Sequence, residues 1–210
     1  MTWPEEVHAL HEEASRTHFL DVWTREAILD RLGPQPEHAT IVDLGCSTGY
    51  LLEELRHAYP AARLIGIDLF AAGLVKAKEL VTDAELIQAD ARDLPLDSGA
   101  VRVLVSANML EHVDDDRRAI AEIHRVLVPG ARAVLVVPAG PSTYDYYDRF
   151  LGHERRYAHG EVAEKARSGA RRARDRRGSW MRCAPRMCKR ARGCFATPRE
   201  FPVSGRAVRH

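Results

Sequence analysis

Cysteine is scarce in this chain: four residues in 210, with Cys46 inside a glycine-rich turn and Cys183, Cys188 and Cys194 towards the C-terminus. That spacing matches no paired Cys-x-x-Cys zinc or dithiol pattern, and no metal is expected. Long apolar runs are missing as well. The longest, AVLVVPA at residues 133–139, falls far short of the roughly 20 residues that cross a bilayer. The opening stretch, MTWPEEVHAL, lacks the basic and apolar regions of a secretory signal. The expectation is therefore a cytoplasmic protein with no membrane span. What is present suits one globular core, with 45% hydrophobic and 29% charged residues. The net charge of +1 hides an asymmetry, because residues 167–210 hold 14 of the 31 Lys and Arg but only two acids, Asp175 and Glu200.

Along the chain, Pro4 followed by Glu5 and Glu6 reads as a helix start. Phe19, Val22, Trp23, Ala27, Ile28 and Leu32 then recur at helical spacing until GPQP stops them, so residues 1–36 are expected to form N-terminal helices. From residue 39 the rhythm changes. The runs ATIVDL, RLIGID, AELIQAD, VRVLVSA and RAVLVVP alternate with the helical patterns YLLEELRHA, AGLVKAKELV and DRRAIAEIHRVL. Strands alternating with helices imply right-handed crossovers, and hence an α/β fold over residues 37–166 with a doubly wound, mostly parallel sheet covered by helices on both faces.

In such a sheet the ligand lies beyond the carboxyl ends of the strands, where strand order reverses. Three acids close three strands there: Asp43, Asp68 and Asp90. GCSTG, Gly45 to Gly49, turns the chain out of the first strand into a helix, and glycine lets backbone approach a ligand that side chains would keep away. Asp68 follows Gly49 by 19 residues, a spacing that suits an acceptor for ribose hydroxyls. The dinucleotide fingerprint G-x-G-x-x-G is not met, because Ser47 stands where the middle glycine would be, and the P-loop GK[ST] is missing. No Lys or Arg occurs between Thr40 and Glu54 to neutralise phosphates. A carboxylate at the mouth of a helix N-terminus repels pyrophosphate but attracts a cation. An adenosine-bearing, phosphate-free, positively charged ligand fits, and S-adenosylmethionine is one. An NAD(P)-dependent oxidoreductase is the rival reading, and a truncated, non-catalytic S-adenosylmethionine-binding protein is another.

The motifs VDLGCSTGY, LIGIDLF, IQADARDLPLDSGAVRVLVSANMLEHV and EIHRVLVPGARAVLVVP, in that order, resemble class I S-adenosylmethionine-dependent methyltransferases of the type 11 group over about residues 39–166. The resemblance implies a Rossmann-like fold and methyl transfer to a small-molecule acceptor. It implies that Asp43 and the backbone of Gly45, Cys46, Ser47 and Gly49 hold the methionine part, Asp68 the ribose and Leu69 one adenine face. Asp90 would accept from the adenine amino group, the Ala91 amide would bind a ring nitrogen, and Asn108 would line the methionine end. Two positions depart from the commonest pattern, Ser47 for glycine and Ala131 in the PGA turn; Ser47 fits provided that its dihedrals are ordinary.

No general base stands out. His112, His153 and His159 qualify by residue type, and His112, beside Glu111 at the mouth of the crevice, is the single catalytic candidate. EHVDDD, Glu111 to Asp116, reads first as a helix start with dipole-matched acids. YDYYDRFLGHERRY, Tyr144 to Tyr157, follows the fifth strand and mixes aromatic and basic residues suited to a planar or anionic acceptor. After residue 166 the pattern breaks. The Arg-rich tail over residues 167–210 offers no strand where this fold completes its sheet with a hairpin, and its sparse aromatics argue against a nucleic-acid partner. Two readings stay open for it, a basic arm and a shifted reading frame: GC-rich codons for residues 169–175, GARRARD, read one nucleotide out of phase, can spell Gly-Leu-Asp-Val-Val-Arg-Glu.

Overall fold

A computed structural model describes residues 14–168 of the chain. The expected first helix at Pro4 and the Arg-rich tail beyond Ser168 lie outside these residues. Within them, helix α1 (Phe19–Leu32) precedes an alternation of strands and helices: β1 (Thr40–Leu44), α2 (Tyr50–Ala58), β2 (Arg63–Asp68), α3 (Ala71–Leu80), β3 (Glu85–Gln88) and β4 (Val101–Ala107). A 3-10 turn (Leu110–His112), α4 (Asp116–Val126), β5 (Leu127–Val136), a second 3-10 turn (Pro141–Thr143) and the short α5 (Tyr146–Leu151) follow, and residues 161–168 are helical again.

The five strands form one sheet in the order β3-β2-β1-β4-β5, and every pairing is parallel. Strand order reverses beside β1, which pairs with β2 on one side and β4 on the other. The pleat sends alternate side chains to opposite faces. Ile41, Leu64, Val103, Val105 and Val134 pack with Ile28 and Leu32 of α1 and with Leu51, Leu52 and Leu55 of α2. Val42, Leu44, Ile65, Ile67 and Leu104 pack on the other face with Ala119, Ile120, Ile123 and Val126 of α4. Helix α1 thus contributes directly to the core of the sheet.

Residues RLIGID and VRVLVSA form β2 and β4 over the expected spans, because central strands buried on both faces are nearly continuous apolar runs. The fifth strand differs. Helix α4 runs straight into β5 at Leu127, so Pro129-Gly130-Ala131 lies within the strand instead of in a turn before it. Gly130, with φ of 79°, absorbs the register shift opposite Val101 and Val103.

Beyond β5 the chain is tied back by Tyr157, which is fully buried. Its hydroxyl lies 3.0 Å from both the Leu110 carbonyl and Asp116 Oδ2, and Asp116 also accepts from Lys165. Burial and the adjacent Asp116 push the Tyr157 phenol up, so it stays protonated and can donate. Tyr157→Phe keeps the ring and removes the donor. It is expected to lower unfolding free energy in urea by about 1–2 kcal/mol; an unchanged midpoint and slope would show that the hydroxyl anchors nothing.

Candidate cofactor site

The carboxyl ends of β1, β2 and β3 lie side by side, since Leu44 is in register with Ile67 and Asp68 with Gln88. Asp43, Asp68 and Asp90 therefore leave neighbouring strands at one rim of the sheet. Asp43 is 1% exposed, and its Oδ2 has no hydrogen-bond partner among the described residues. Burial, with the negative Asp68 adding to it, pushes its carboxyl up to about 8. A carboxyl group in this state awaits either a proton or a cation.

The turn after Asp43 is built by close approach. Gly45 (φ 81°) and Gly49 (φ 86°) both occupy the left-handed region that favours glycine. A Cβ on Gly45 would stand 2.6 Å from the Met109 side chain, and one on Gly49 would stand 2.8 Å from Ala77 Cβ. Gly73, in α3, faces the Ser47 backbone so closely that a Cβ there would meet its carbonyl carbon at 2.8 Å. Ser47 corrects the sequence-based expectation: its φ is 46°, in the left-handed region and not ordinary. The conformation is secured from outside, because the Ser47 amide donates to Asp68 Oδ2 at 2.9 Å. Cys46 is buried, and burial followed by the nearby Asp43 and Asp68 holds its thiol far above the ordinary range, so it lines the turn as a neutral group.

Asp68 also accepts from the Phe70 amide through Oδ1, which leaves each oxygen one lone pair for a ligand. Leu69 beside it is 52% exposed, an apolar face with nothing of its own to cover. Asp90 is differently placed. Both its oxygens are taken by Arg92, whose backbone amide, Nε and Nη2 all donate to it, and these bonds hold the carboxyl below the usual range. Arg92 was not singled out by sequence, and any ligand donor reaching Asp90 must share it with that guanidinium. Ala91 is buried. Asn108 ends β4 with φ of 50°, a conformation that asparagine tolerates, and its amide donates to the Val136 carbonyl at 2.9 Å.

Past Asn108, EHVDDD is not a single helix start. Asp115 caps α4 by accepting from the Arg118 amide, as expected of a helix N-terminus. Glu111, however, lies in the preceding 3-10 turn, 0% exposed, with neither oxygen paired among the described residues. Burial, with Asp148 adding to it, pushes Glu111 up to about 8. His112 is exposed, and its ring centroid lies 4.8 Å from that of His153. His153 Nδ1 meets Asp148 Oδ1 at 2.8 Å, and Asp148 is fully buried against Arg156. His112 and His153 were singled out by residue type, but their convergence with Glu111 and Asp148 was missed, because the burial of these two acids in polar stretches is announced by no periodicity. Tyr146, Tyr147 and Phe150 of α5 are exposed, as an acceptor-facing aromatic segment would be.

The unpaired Asp43 oxygen and the glycine cradle fit a cationic ligand whose backbone-held portion carries no phosphate. Comparison with known proteins agrees. Residues 42–135 match the family model described as a methyltransferase domain. A 37.1 kDa protein in a transposon of Streptomyces fradiae is 32% identical over 154 residues, covering 69% of this chain and 43% of that one. The trans-aconitate 2-methyltransferase of Deinococcus radiodurans is 32% identical, covering 66% of this chain and 50% of its own. This chain thus spans about half the length of the curated relatives it matches. Among solved structures, a chain from the complex of the Haloferax volcanii Trm112 methyltransferase activator with a methyltransferase superposes with a TM-score of 0.67 at 23% identity, covering 80% of this chain and 77% of that one. Among the described residues no helix is long and apolar enough to cross a membrane. Motif order, sheet topology, the acidic rim and the family match converge: residues 42–135 form a methyltransferase domain, and over them the chain is similar to class I S-adenosylmethionine-dependent methyltransferases of the type 11 group.

Proposed function

We propose that the protein transfers a methyl group from S-adenosylmethionine to a small-molecule acceptor. The observation that carries this reading is the buried Asp43 oxygen with no partner among the described residues, placed one residue before the end of β1 and beside a turn without a single Lys or Arg. When bound, the cofactor supplies a methyl carbon made electrophilic by a sulfonium. The chain's own residues bind, orient and exclude water. Asp43 faces positive charge on the methionine part, and the backbone of Gly45, Cys46, Ser47 and Gly49 lies against it. Asp68 has a lone pair on each oxygen for the ribose hydroxyls, Leu69 covers the adenine face, and Asp90 with the Ala91 amide reads its edge. Asn108 closes the methionine end, and His112 with the aromatic residues of α5 lines the acceptor side. Positioning and water exclusion of this kind can supply several kcal/mol to a displacement without a strong acid. The acceptor is expected to be small, with nucleic acid and membrane outside its range.

Two measurements test the reading. Calorimetry of the full chain should show binding of S-adenosylhomocysteine and none of NAD; the reverse result makes it an oxidoreductase fold. Labelled-methyl transfer to a cell extract should then mark a small molecule; binding without transfer to any acceptor reduces the protein to a binding module.

The rim residues generate two further outcomes. Asp68→Ala is expected to weaken S-adenosylhomocysteine binding by more than about tenfold, since hydrogen bonds to a charged acceptor contribute about 1.5–3 kcal/mol each and Ser47 also loses its tether. Unchanged affinity would remove Asp68 from the site. For Asp43, with a folded pKa raised to about 8, a cationic ligand must displace a proton at neutral pH. Affinity for S-adenosylmethionine should therefore rise with pH up to about 8, while Asp43→Asn binds weakly and without that slope. The stability of the unliganded protein runs the opposite way. The native state holds a proton that the unfolded chain has released, so Asp43 contributes most below its unfolded pKa, and that contribution is lost as pH rises through about 8. Thermal unfolding from pH 5 to 9 should show a shallower decline in Asp43→Asn; parallel curves would mean that Asp43 is already ionised in the native state.

A further inference from the structure

Three side chains outside the acidic rim converge on one point. Glu111, His112 and His153 each offer a ligand atom, and these atoms lie within 4.8 Å of one another. Glu111 carries two buried oxygens with no hydrogen-bond partner among the described residues. A buried carboxylate so placed is costly unless a proton or a cation meets it. His153 is prepared by its neighbours: Nδ1 faces Asp148 Oδ1 at 2.8 Å, and Asp148 is itself fixed by Arg156 Nε at 2.7 and 2.9 Å from its two oxygens. With Asp148 fixed by Arg156 and accepting from Nδ1–H of His153, the imidazole lone pair lies on Nε2. A carboxylate orienting a histidine whose far nitrogen is free to ligate is the outer-shell pattern of metal-bound imidazoles.

The geometry points to a divalent transition-metal site formed by Glu111, His112 and His153, with Asp148 as the residue that orients His153. Two imidazoles and one carboxylate are borderline donors that suit zinc-like ions at about 2.0–2.1 Å and disfavour calcium and magnesium. The three ligand atoms lie within 4.8 Å of one another, and His112, at the end of the 3-10 turn, is the exposed member of the three. Three protein ligands leave at least one coordination position open. The turn that carries Glu111 and His112 begins two residues after Asn108, so that position lies near the acceptor side of the cofactor crevice. A metal ion there would give the site a place for an oxygen or nitrogen of the acceptor. The inference concerns these side chains and stands apart from the assignment of the cofactor.

The test uses the full chain, stripped of metal with a chelator and then dialysed. Titration with ZnCl2 by calorimetry is expected to show one equivalent bound per chain. His153→Ala and Glu111→Gln should each weaken binding by at least about tenfold, with Asp148→Asn weakening it about 10- to 100-fold. S-adenosylhomocysteine affinity of each variant, measured separately, reports whether the fold is kept. A second measurement needs no variant: CoCl2 bound to the unmodified chain should give visible d–d bands of nitrogen and oxygen ligation without a thiolate charge-transfer band. Absence of stoichiometric binding, a thiolate band marking capture by Cys183, Cys188 or Cys194, or undiminished affinity in a folded His153→Ala variant each overturn the site. Failure here with cofactor binding intact leaves the methyltransferase reading standing; loss of both would count against each.

Discussion

The structure depends on a carboxylate that folding itself does not satisfy. Asp43 is one residue from the end of the central strand, in register with Gly66 and Val105 of the strands on either side, so its backbone cannot move without disturbing the sheet. Its side chain is buried, unpaired at Oδ2 among the described residues and close enough to Asp68 to feel its charge. An ordinary core position would carry an apolar residue, because an unsatisfied buried polar group costs about 1–3 kcal/mol. The sheet tolerates the defect at the rim where the cofactor is proposed to lie and where a cation would remove it.

The same rim shows why the turn needs glycine at particular places and accepts serine at another. Gly45 makes room for Met109, which lies between Asn108 and the 3-10 turn, and Gly49 makes room for Ala77 of α3. The constraint at those two positions is both dihedral and steric, so any side chain fails twice. Ser47 faces only the dihedral constraint, at a cost of about 1–3 kcal/mol that the hydrogen bond its backbone N–H donates to Asp68 helps to offset. Asp68 therefore has two tasks. It holds the turn in a strained conformation and, in the proposed cofactor site, keeps its remaining lone pairs for a sugar.

Legibility in the sequence followed physical cause. Strands β2 and β4 were readable to the residue because both faces of a parallel sheet demand apolar side chains without interruption. Strand β5 was not, since Pro129 and Gly130 signal a turn, and only the pairing of Leu127 with Val101 across a bulge draws them into the sheet. Asp43 and Asp68 could be found from their place after apolar runs, whereas the occupancy of Asp90 by Arg92 could not. That contact is between residues two apart, a spacing that carries no pattern of its own. Glu111 was the deepest omission: a glutamate among aspartates reads as surface, and its burial comes from the chain returning after β5, where the Glu154 amide bonds the Glu111 carbonyl at 2.8 Å.

That returning segment divides the site into two halves with different determinants. The proposed cofactor half is made by strand ends and one turn, all set by the register of the sheet, so any sequence adopting the topology with acids at those ends reproduces it. The other half is assembled by long-range ties: Tyr157 to Leu110 and Asp116, Arg155 to the Asp114 carbonyl, and Glu154 to Glu111. None is dictated by strand register, and each joins residues more than forty positions apart in sequence. Variation in the segment after β5 can thus reshape the Glu111, His112 and His153 side of the crevice while the carboxylates of β1 and β2 stay where the sheet puts them. This separation lets one architecture keep a single donor and change its acceptor.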